Sequence, residues 1–175
     1  DKGFDILFFG NIPNGAGLSS SASIELAMSV VLKGLYNLDV DMIKMVKLSQ
    51  KAENSFIGVN CGIMDQFAIG MGKKDSAILL DCNTLKYDYA PVVLKDAAIV
   101  IGNTNKRRGL ADSKYNERRR ECERALSQLK EKLNITSLGN LSIAEFEINK
   151  EIITNEIDRK RAKHAVYENQ RTLEA

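Results

Sequence analysis

The chain has 175 residues, of which 44% are hydrophobic and 27% charged, and its formal net charge is +2. That length suits one domain, or one domain with part of a neighbour, and it is sufficient to bury an apolar core. The 12 glycines and 2 prolines exclude collagen-like and proline-rich disordered classes, and no apolar run approaches the about 18 residues that a membrane span needs. Residue 1 is Asp and no long apolar segment follows it, so we expect no secretory signal and a true start upstream.

The first half of the chain predicts strands, a glycine loop and helices. Ile6–Phe9 has the pattern of a buried strand, and the serines Ser19–Ser21 are expected to cap a helix. The apolar residues between Ile24 and Leu35 form a stripe at helical spacing. Asp41 is expected to be the N-cap of an amphipathic helix over residues 42–56.

Further elements follow in order. Residues 76–82 and 85–90 predict two strands joined by a short turn, and residues 97–102 predict another buried strand. A long charged helix is expected over 112–133 and a last helix over 155–173.

The composition shift near residues 91–96 predicts a domain boundary. Residues 1–95 form one expected domain and residues 96–175 the start of a second. Within the second, Ser142 and Glu145 have the spacing of a capping box that opens a short helix.

Residues 104–132 contain ten basic and five acidic side chains. This run is either an anion-binding or nucleic-acid patch or a solvated helix face with interleaved salt bridges. The helical spacing between acids and bases favours the salt-bridged face. We therefore expect no nucleic acid among the partners.

Three cysteines, Cys61, Cys82 and Cys122, are widely spaced and form no CxxC motif. This pattern disfavours a disulfide framework or a zinc site and indicates a cytoplasmic protein. The chain has one histidine, His164, and no GxSxG motif, which disfavours a serine hydrolase.

A glycine-serine loop, residues 15–21, lies between the first predicted strand and helix. Two glycines allow close backbone approach, and the helix N-terminus and three hydroxyls add donors for phosphate. The stretch lacks the GK[ST] ending of a Walker A motif and the third glycine of a dinucleotide fingerprint. It is therefore either a phosphate cradle or a flexible turn with an N-cap.

Two carboxylates occupy apolar surroundings. Glu53 falls in the apolar sector of the second helix, together with Phe56, and needs a partner there. It is either a ligand for Mg²⁺ or one half of an ion pair with a lysine or arginine. Asp65, in the run Cys61–Phe67, either orients a hydroxyl and accepts its proton or is a helix N-cap.

Together these segments resemble one family. Pro13–Ser23 is similar to the second signature motif of the GHMP small-molecule kinases. Cys61–Phe67, Asn103–Arg108, Tyr115–Cys122 and Arg161–Val166 resemble the galactokinase branch of that family. The resemblance covers essentially the whole chain.

The resemblance implies an α+β fold, with part of an N-terminal domain of the ribosomal-protein-S5-like type followed by the start of a helix-rich C-terminal domain. It implies ATP-dependent phosphorylation of the anomeric hydroxyl of galactose. It also implies site residues. Gly15, Gly17, Leu18, Ser19, Ser20 and Ser21 would bind the ATP phosphates, Ser20 and Glu53 the Mg²⁺, and Gly62, Asp65 and Tyr115 the sugar, with Asp65 catalytic.

Two segments of the family pattern have no counterpart here: the N-terminal sugar-binding segment and the third, glycine-rich motif. We therefore expect a central fragment that is inactive alone and tends to self-associate. Two rival functions stay open, a regulatory sensor of sugar and ATP and a kinase of a related sugar such as N-acetylgalactosamine. The intact serine loop favours an enzyme over a sensor.

Overall fold

The structure, a computed structural model, describes residues 3–13, 16–103 and 114–175. The chain divides into two compact units, residues 1–113 and residues 114–175. Helices combined with a small antiparallel sheet make the fold α+β, as the sequence predicted. The domain boundary expected between residues 95 and 96 stays a prediction.

The described part of the first unit contains three α-helices, α1 (Ser20–Tyr36), α2 (Met42–Ala52) and α3 (Met64–Met71). Asp41 caps α2 as predicted, because its carboxylate accepts a hydrogen bond from the Lys44 backbone N–H at 2.7 Å. One π-helical turn, Glu53–Ile57, continues directly from α2. This π-turn explains why Phe56 is 88% exposed, against the prediction, since the wider turn rotates later side chains away from the apolar face of α2.

The core of this unit lies among its three helices. Its buried apolar side chains are Leu26, Met45, Val46, Ile63 and Phe67.

The face of α1 that enters this core differs from the predicted stripe. Ile24 and Leu35 are 50% and 56% exposed, whereas Ala22 and Leu26 are buried. An apolar pattern that allows two faces is decided by the neighbouring helices, here α2 and α3.

A β-hairpin follows α3, formed by β1 (Ser76–Leu80) and β2 (Tyr87–Pro91). The register pairs Ser76 with Pro91 and Leu80 with Tyr87, in agreement with the predicted pair of strands. The rings of Tyr87 and Phe67 pack edge to face, with their centroids 5.2 Å apart. The hairpin is thereby attached to the helical core.

The strands predicted at Ile6–Phe9 and at residues 97–102 are wrong. Both segments are irregular, and Leu7, Phe9 and Val100 are 92%, 99% and 88% exposed. A strand is defined by a hydrogen-bonded ladder with a neighbour, and the only ladder among the described residues joins β1 to β2. An apolar run alone does not supply that neighbour.

The second unit is helical. Its helices are α4 (Tyr115–Lys130), α5 (Ile143–Asn149) and α6 (Glu156–Glu174). The predicted capping box opens α5, because Glu145 N–H donates to Ser142 Oγ at 3.2 Å and Ser142 N–H donates to Glu145 Oε2 at 2.9 Å. Side chains of all three helices share one core, with Leu129, Phe146 and Val166 fully buried.

None of the helices in the described ranges is long and apolar enough to cross a lipid bilayer.

Candidate functional site

The glycine-serine loop turns sharply into α1. Gly17 has φ 74° and Ser19 has φ 54°, so both residues adopt left-handed backbone conformations. Such a conformation strains a serine, and strain of this kind concentrates at functional sites. Asn14 and Gly15 lie outside the described residues.

The expectation that a serine side chain caps α1 is wrong. The N-cap residue is Ser19, and no side chain of the described residues caps the helix there. A capping hydroxyl requires an extended backbone at the N-cap, and the left-handed Ser19 does not have one. The first helical hydrogen bond runs from Ser23 N–H to Ser19 O at 3.0 Å, which leaves the N–H groups of the first turn directed toward the loop.

A cavity of about 310 Å³ adjoins the start of α1. Ser20 and Ser23 supply its polar wall. The rest of its lining comes from Phe8, Phe9, Gly10, Ile12, Ile24 and Ala27. A pocket that combines apolar walls, two hydroxyls and a helix N-terminus suits a ligand with a flat apolar part and an anionic part.

Glu53 opens the π-turn and is 5% exposed. No ion pair among the described residues includes it, so the predicted alternative of a lysine or arginine partner finds no support. The negative charge of Glu53 acts on Glu25 of α1. Burial, and then the charge of Glu53, raise the pKa of Glu25 from 4.5 to about 7.

Sequence reasoning missed Glu25. Its signal was weak but present, since Glu25 stands three residues after Ala22 and next to Leu26, on the side of α1 that is buried. A nearby like charge disfavours the charged form of a carboxyl group. Glu25 Oε2 is itself buried without a hydrogen-bond partner among the described residues, so the pair retains unused acceptor capacity.

Glu53 therefore fits a Mg²⁺ ligand on the chemistry of the site. A buried carboxylate without a basic partner offers the hard oxygen that this ion prefers, and Mg²⁺ takes one or two carboxylates together with phosphate oxygens and water. The described residues hold no cluster of three or more His, Cys, Asp or Glu side chains arranged for a metal.

Asp65 is exposed in the first turn of α3. The N-cap of that helix is Ile63, so the alternative that Asp65 is an N-cap is wrong. The helix dipole favours a carboxylate in this first turn, and Gly62 lies three residues before it. Tyr115 begins α4 in the second unit and is 38% exposed.

Residues 2–73 match the family model described as the GHMP kinases N terminal domain. The chain is thus similar to the GHMP kinase family over this part of its length, which includes the glycine-serine loop ahead of α1.

Curated relatives of this chain are named galactokinases. The galactokinase of Clostridium beijerinckii is 64% identical over 174 residues, which are 99% of this chain and 45% of the relative. That of Fusobacterium nucleatum is 67% identical over 172 residues, 98% of this chain and 44% of the relative. The chain thus spans less than half the length of these relatives.

A solved galactokinase structure is also similar to this chain. The chain superposes on the crystal structure of Lactococcus lactis galactokinase complexed with galactose with a TM-score of 0.89 and 57% identity. The match covers 94% of this chain and 42% of the solved one.

Proposed function

We propose that the chain carries part of the active site of an ATP-dependent galactokinase, which phosphorylates the anomeric hydroxyl of galactose to give galactose 1-phosphate. The observation that carries the proposal is the identity of 64% and 67% to two galactokinases over almost the whole chain. The galactose named in the Lactococcus lactis structure supports the choice of sugar.

The glycine-serine loop is the proposed phosphate site. Gly15, Gly17 and Leu18 would approach the ATP phosphates by their backbone, and the Ser19–Ser21 segment would add N–H and hydroxyl donors. The loose transition state of phosphoryl transfer needs mainly positioning and charge stabilisation. The left-handed backbone of Gly17 and Ser19 supports this role, because it turns the loop toward the N–H groups that begin α1.

Ser20 and Glu53 are the proposed Mg²⁺ ligands. When bound, the ion neutralises charge that develops on the phosphates. Ser20 lines the cavity at the start of α1, and Glu53 is buried without a basic partner among the described residues.

Asp65 is the proposed catalytic carboxylate. It would orient the sugar hydroxyl and accept its proton, with Gly62 and Tyr115 as sugar contacts. Exposure at the first turn of a rigid helix supports this role, since the group is accessible and its backbone is fixed.

Sugar phosphate formation from galactose and Mg-ATP tests the function, measured in a chimera with a full-length galactokinase because we expect the chain to be inactive alone. Asp65→Ala should abolish it, and Asp88→Ala, an exposed aspartate of β2, is the matched control. Equal turnover in wild type and Asp65→Ala would sink the catalytic role.

The chimera is built on the galactokinase of Clostridium beijerinckii, because this chain matches only 45% of that enzyme and the enzyme supplies the remainder. In it, this chain replaces the matched segment of that galactokinase. We expect the chimera to phosphorylate galactose, and a folded chimera without turnover would overturn the proposed function.

The metal role has its own test. Glu53→Gln should weaken binding of Mg-ATP more than binding of Mg-free ATP, because the lost charge faces the ion. Equal losses would point to a purely structural Glu53. Self-association and a cytoplasmic location stay predictions.

A further inference from the structure

Cys61 is bound on three sides within the loop that connects the π-turn Glu53–Ile57 to α3. Its backbone N–H donates to Asn54 Oδ1 at 3.0 Å and also to Val59 O at 2.7 Å, and its thiol donates to Asn54 Oδ1 at 3.2 Å. Its carbonyl oxygen accepts from Gln50 Nε2 at 3.1 Å. Both backbone polar groups of Cys61 are thus bound by side chains of α2 and the π-turn.

The π-turn explains how Asn54 reaches the loop. Gly58 and Val59 both donate their backbone N–H to Glu53 O, which closes a wider turn than an α-helix has. Within that turn Glu53 is directed into the buried interior and Asn54, half-buried, toward Cys61. The two consecutive residues therefore act in different places: the charge of Glu53 acts on Glu25, and Asn54 binds the connecting loop.

The thiol is a donor in this arrangement. Burial, and then the charge of Glu53, raise the pKa of Cys61, so the sulfur keeps its proton. Asn54 Oδ1 accepts two hydrogen bonds, so the contact depends on the carbonyl oxygen of the side-chain amide. An acceptor of the same length should therefore replace it, whereas a methyl group should not.

We propose that Asn54 is a positioning residue that holds Cys61, and through it Gly62 and Asp65, in the geometry that sugar phosphorylation requires. The inference rests on the proposed function for its catalytic meaning. We call the two hydrogen bonds from Cys61 to Asn54 Oδ1 the clamp. The clamp couples the residue proposed to bind Mg²⁺ to the loop proposed to face the sugar, because Glu53 and Asn54 are neighbours in one turn. Small displacements of a reacting group are costly to rate, so loss of the clamp should appear mainly in turnover.

The test compares four variants of the full chain. Asn54→Ala removes the acceptor, and Asn54→Asp keeps it. Cys61→Ala removes the thiol but keeps the backbone contact. Asn149→Ala makes the matched substitution on α5, where the side chain only donates to Glu145 O.

The first readout is hydrogen exchange of the Cys61 amide. Asn54→Ala should accelerate this exchange about threefold, because the amide loses one of its two acceptors and keeps the hydrogen bond to Val59 O. Asn54→Asp, Cys61→Ala and Asn149→Ala should stay close to wild type. Unchanged exchange in Asn54→Ala would overturn the clamp, whatever the catalytic activity of the chain.

The second readout is galactose phosphorylation by the chimera with the Clostridium beijerinckii enzyme, into which the same substitutions are introduced. Asn54→Ala should lower kcat about tenfold or more with the KM for ATP within about twofold, and Asn54→Asp should restore kcat. A faster-exchanging Asn54→Ala with an unchanged kcat in the chimera would overturn the positioning role. A folded chimera without turnover would instead defeat the proposed function, and the exchange result would still decide the clamp.

If Asn54→Ala does not fold, Gln50→Met serves in its place, since it removes the donor to the Cys61 carbonyl. It should accelerate exchange in the loop and lower kcat in the same direction. Wild-type values of both in Gln50→Met would contradict the proposal.

Discussion

Arg124 and Asp158 form a two-point ion pair between α4 and α6. Arg124 Nε lies 2.8 Å from Asp158 Oδ2, and Arg124 Nη2 lies 2.6 Å from Asp158 Oδ1. The aspartate side chain is 2% exposed and the arginine side chain 54% exposed. Part of the basic run thus serves to fasten one helix to another, in agreement with the salt-bridged face favoured from the sequence.

The pair should respond asymmetrically to mutation. Arg124→Met leaves a carboxylate buried without its cation, and we expect a loss of about 2 to 3 kcal/mol in the free energy of unfolding. Asp158→Asn leaves an arginine that water can reach, so its cost should be smaller. Urea denaturation followed by circular dichroism measures both.

The matched control is the exposed pair of Lys160 and Glu156, whose side chains are 72% and 77% exposed. Lys160→Met should change the free energy of unfolding by less than about 0.5 kcal/mol. An equal loss in Arg124→Met and Lys160→Met would contradict the role assigned to the buried carboxylate.

Glu25 predicts a pH dependence of stability. Its pKa in the folded chain, about 7, lies above the ordinary 4.5, so the folded state binds this proton more tightly than the unfolded state. The stabilisation is fully present below pH 4.5 and is lost as the pH rises toward 7. Allowing for solvent screening at a half-buried site, we expect a loss of about 1 kcal/mol.

Glu25→Gln isolates this contribution, because the amide stays neutral and keeps the shape of the protonated acid. The difference between wild type and Glu25→Gln in free energy of unfolding should shift in favour of the variant between pH 4.5 and pH 7. A difference that stays constant across this interval would contradict the raised pKa of Glu25.

Glu147 should act in the opposite direction. Hydrogen bonds from Lys150 and Tyr167 lower its pKa from 4.5 to about 2. The stabilisation is therefore present above pH 4.5 and is lost as the pH falls toward 2. Unfolding measured in wild type and Glu147→Gln should show this acid-side loss in the wild type alone.

Alanine substitutions at Gly17 and Gly58 separate the effect of backbone strain on stability from an effect on ligand binding. Gly17 and Gly58 have φ 74° and φ 81°, and a Cβ at either position would meet no atom within 4 Å. Alanine should therefore cost about 1 kcal/mol at each, for conformational reasons only. Gly17→Ala alone should also weaken ATP binding in calorimetry, and equal ATP affinity in both variants would argue against a phosphate role for this loop.

Local sequence signals predicted local structure well. Asp41 and Ser142 could be identified as caps from the sequence because a cap needs only a backbone group close by in the chain. In the structure each binds the N–H three residues ahead. The strands expected at Ile6–Phe9 and 97–102 were wrong because a strand depends on a neighbour that the segment itself does not specify.

The same distinction applies to the candidate site. Glu53 stood out in the sequence because a carboxylate interrupted an apolar helix face. Glu25 did not, since its burial depends on a helix and a π-turn that come later in the chain. The clamp between Asn54 and Cys61 was missed for a related reason, because a π-turn has no sequence signature comparable to a cap.

Gly70 sets the distance between α2 and α3. A Cβ built on it would lie 2.7 Å from Val46 Cγ2 and 3.1 Å from Met42 Sδ. Gly70→Ala should therefore lower the free energy of unfolding by about 1 to 2 kcal/mol, since the cost of overpacking exceeds the gain in helix propensity. Gly34→Ala, in α1 with no atom within 4 Å of its Cβ, should instead stabilise the chain by about 0.5 to 1 kcal/mol. Opposite signs for these two substitutions in urea denaturation would support the close packing of α2 on α3, and a stabilising Gly70→Ala would contradict it.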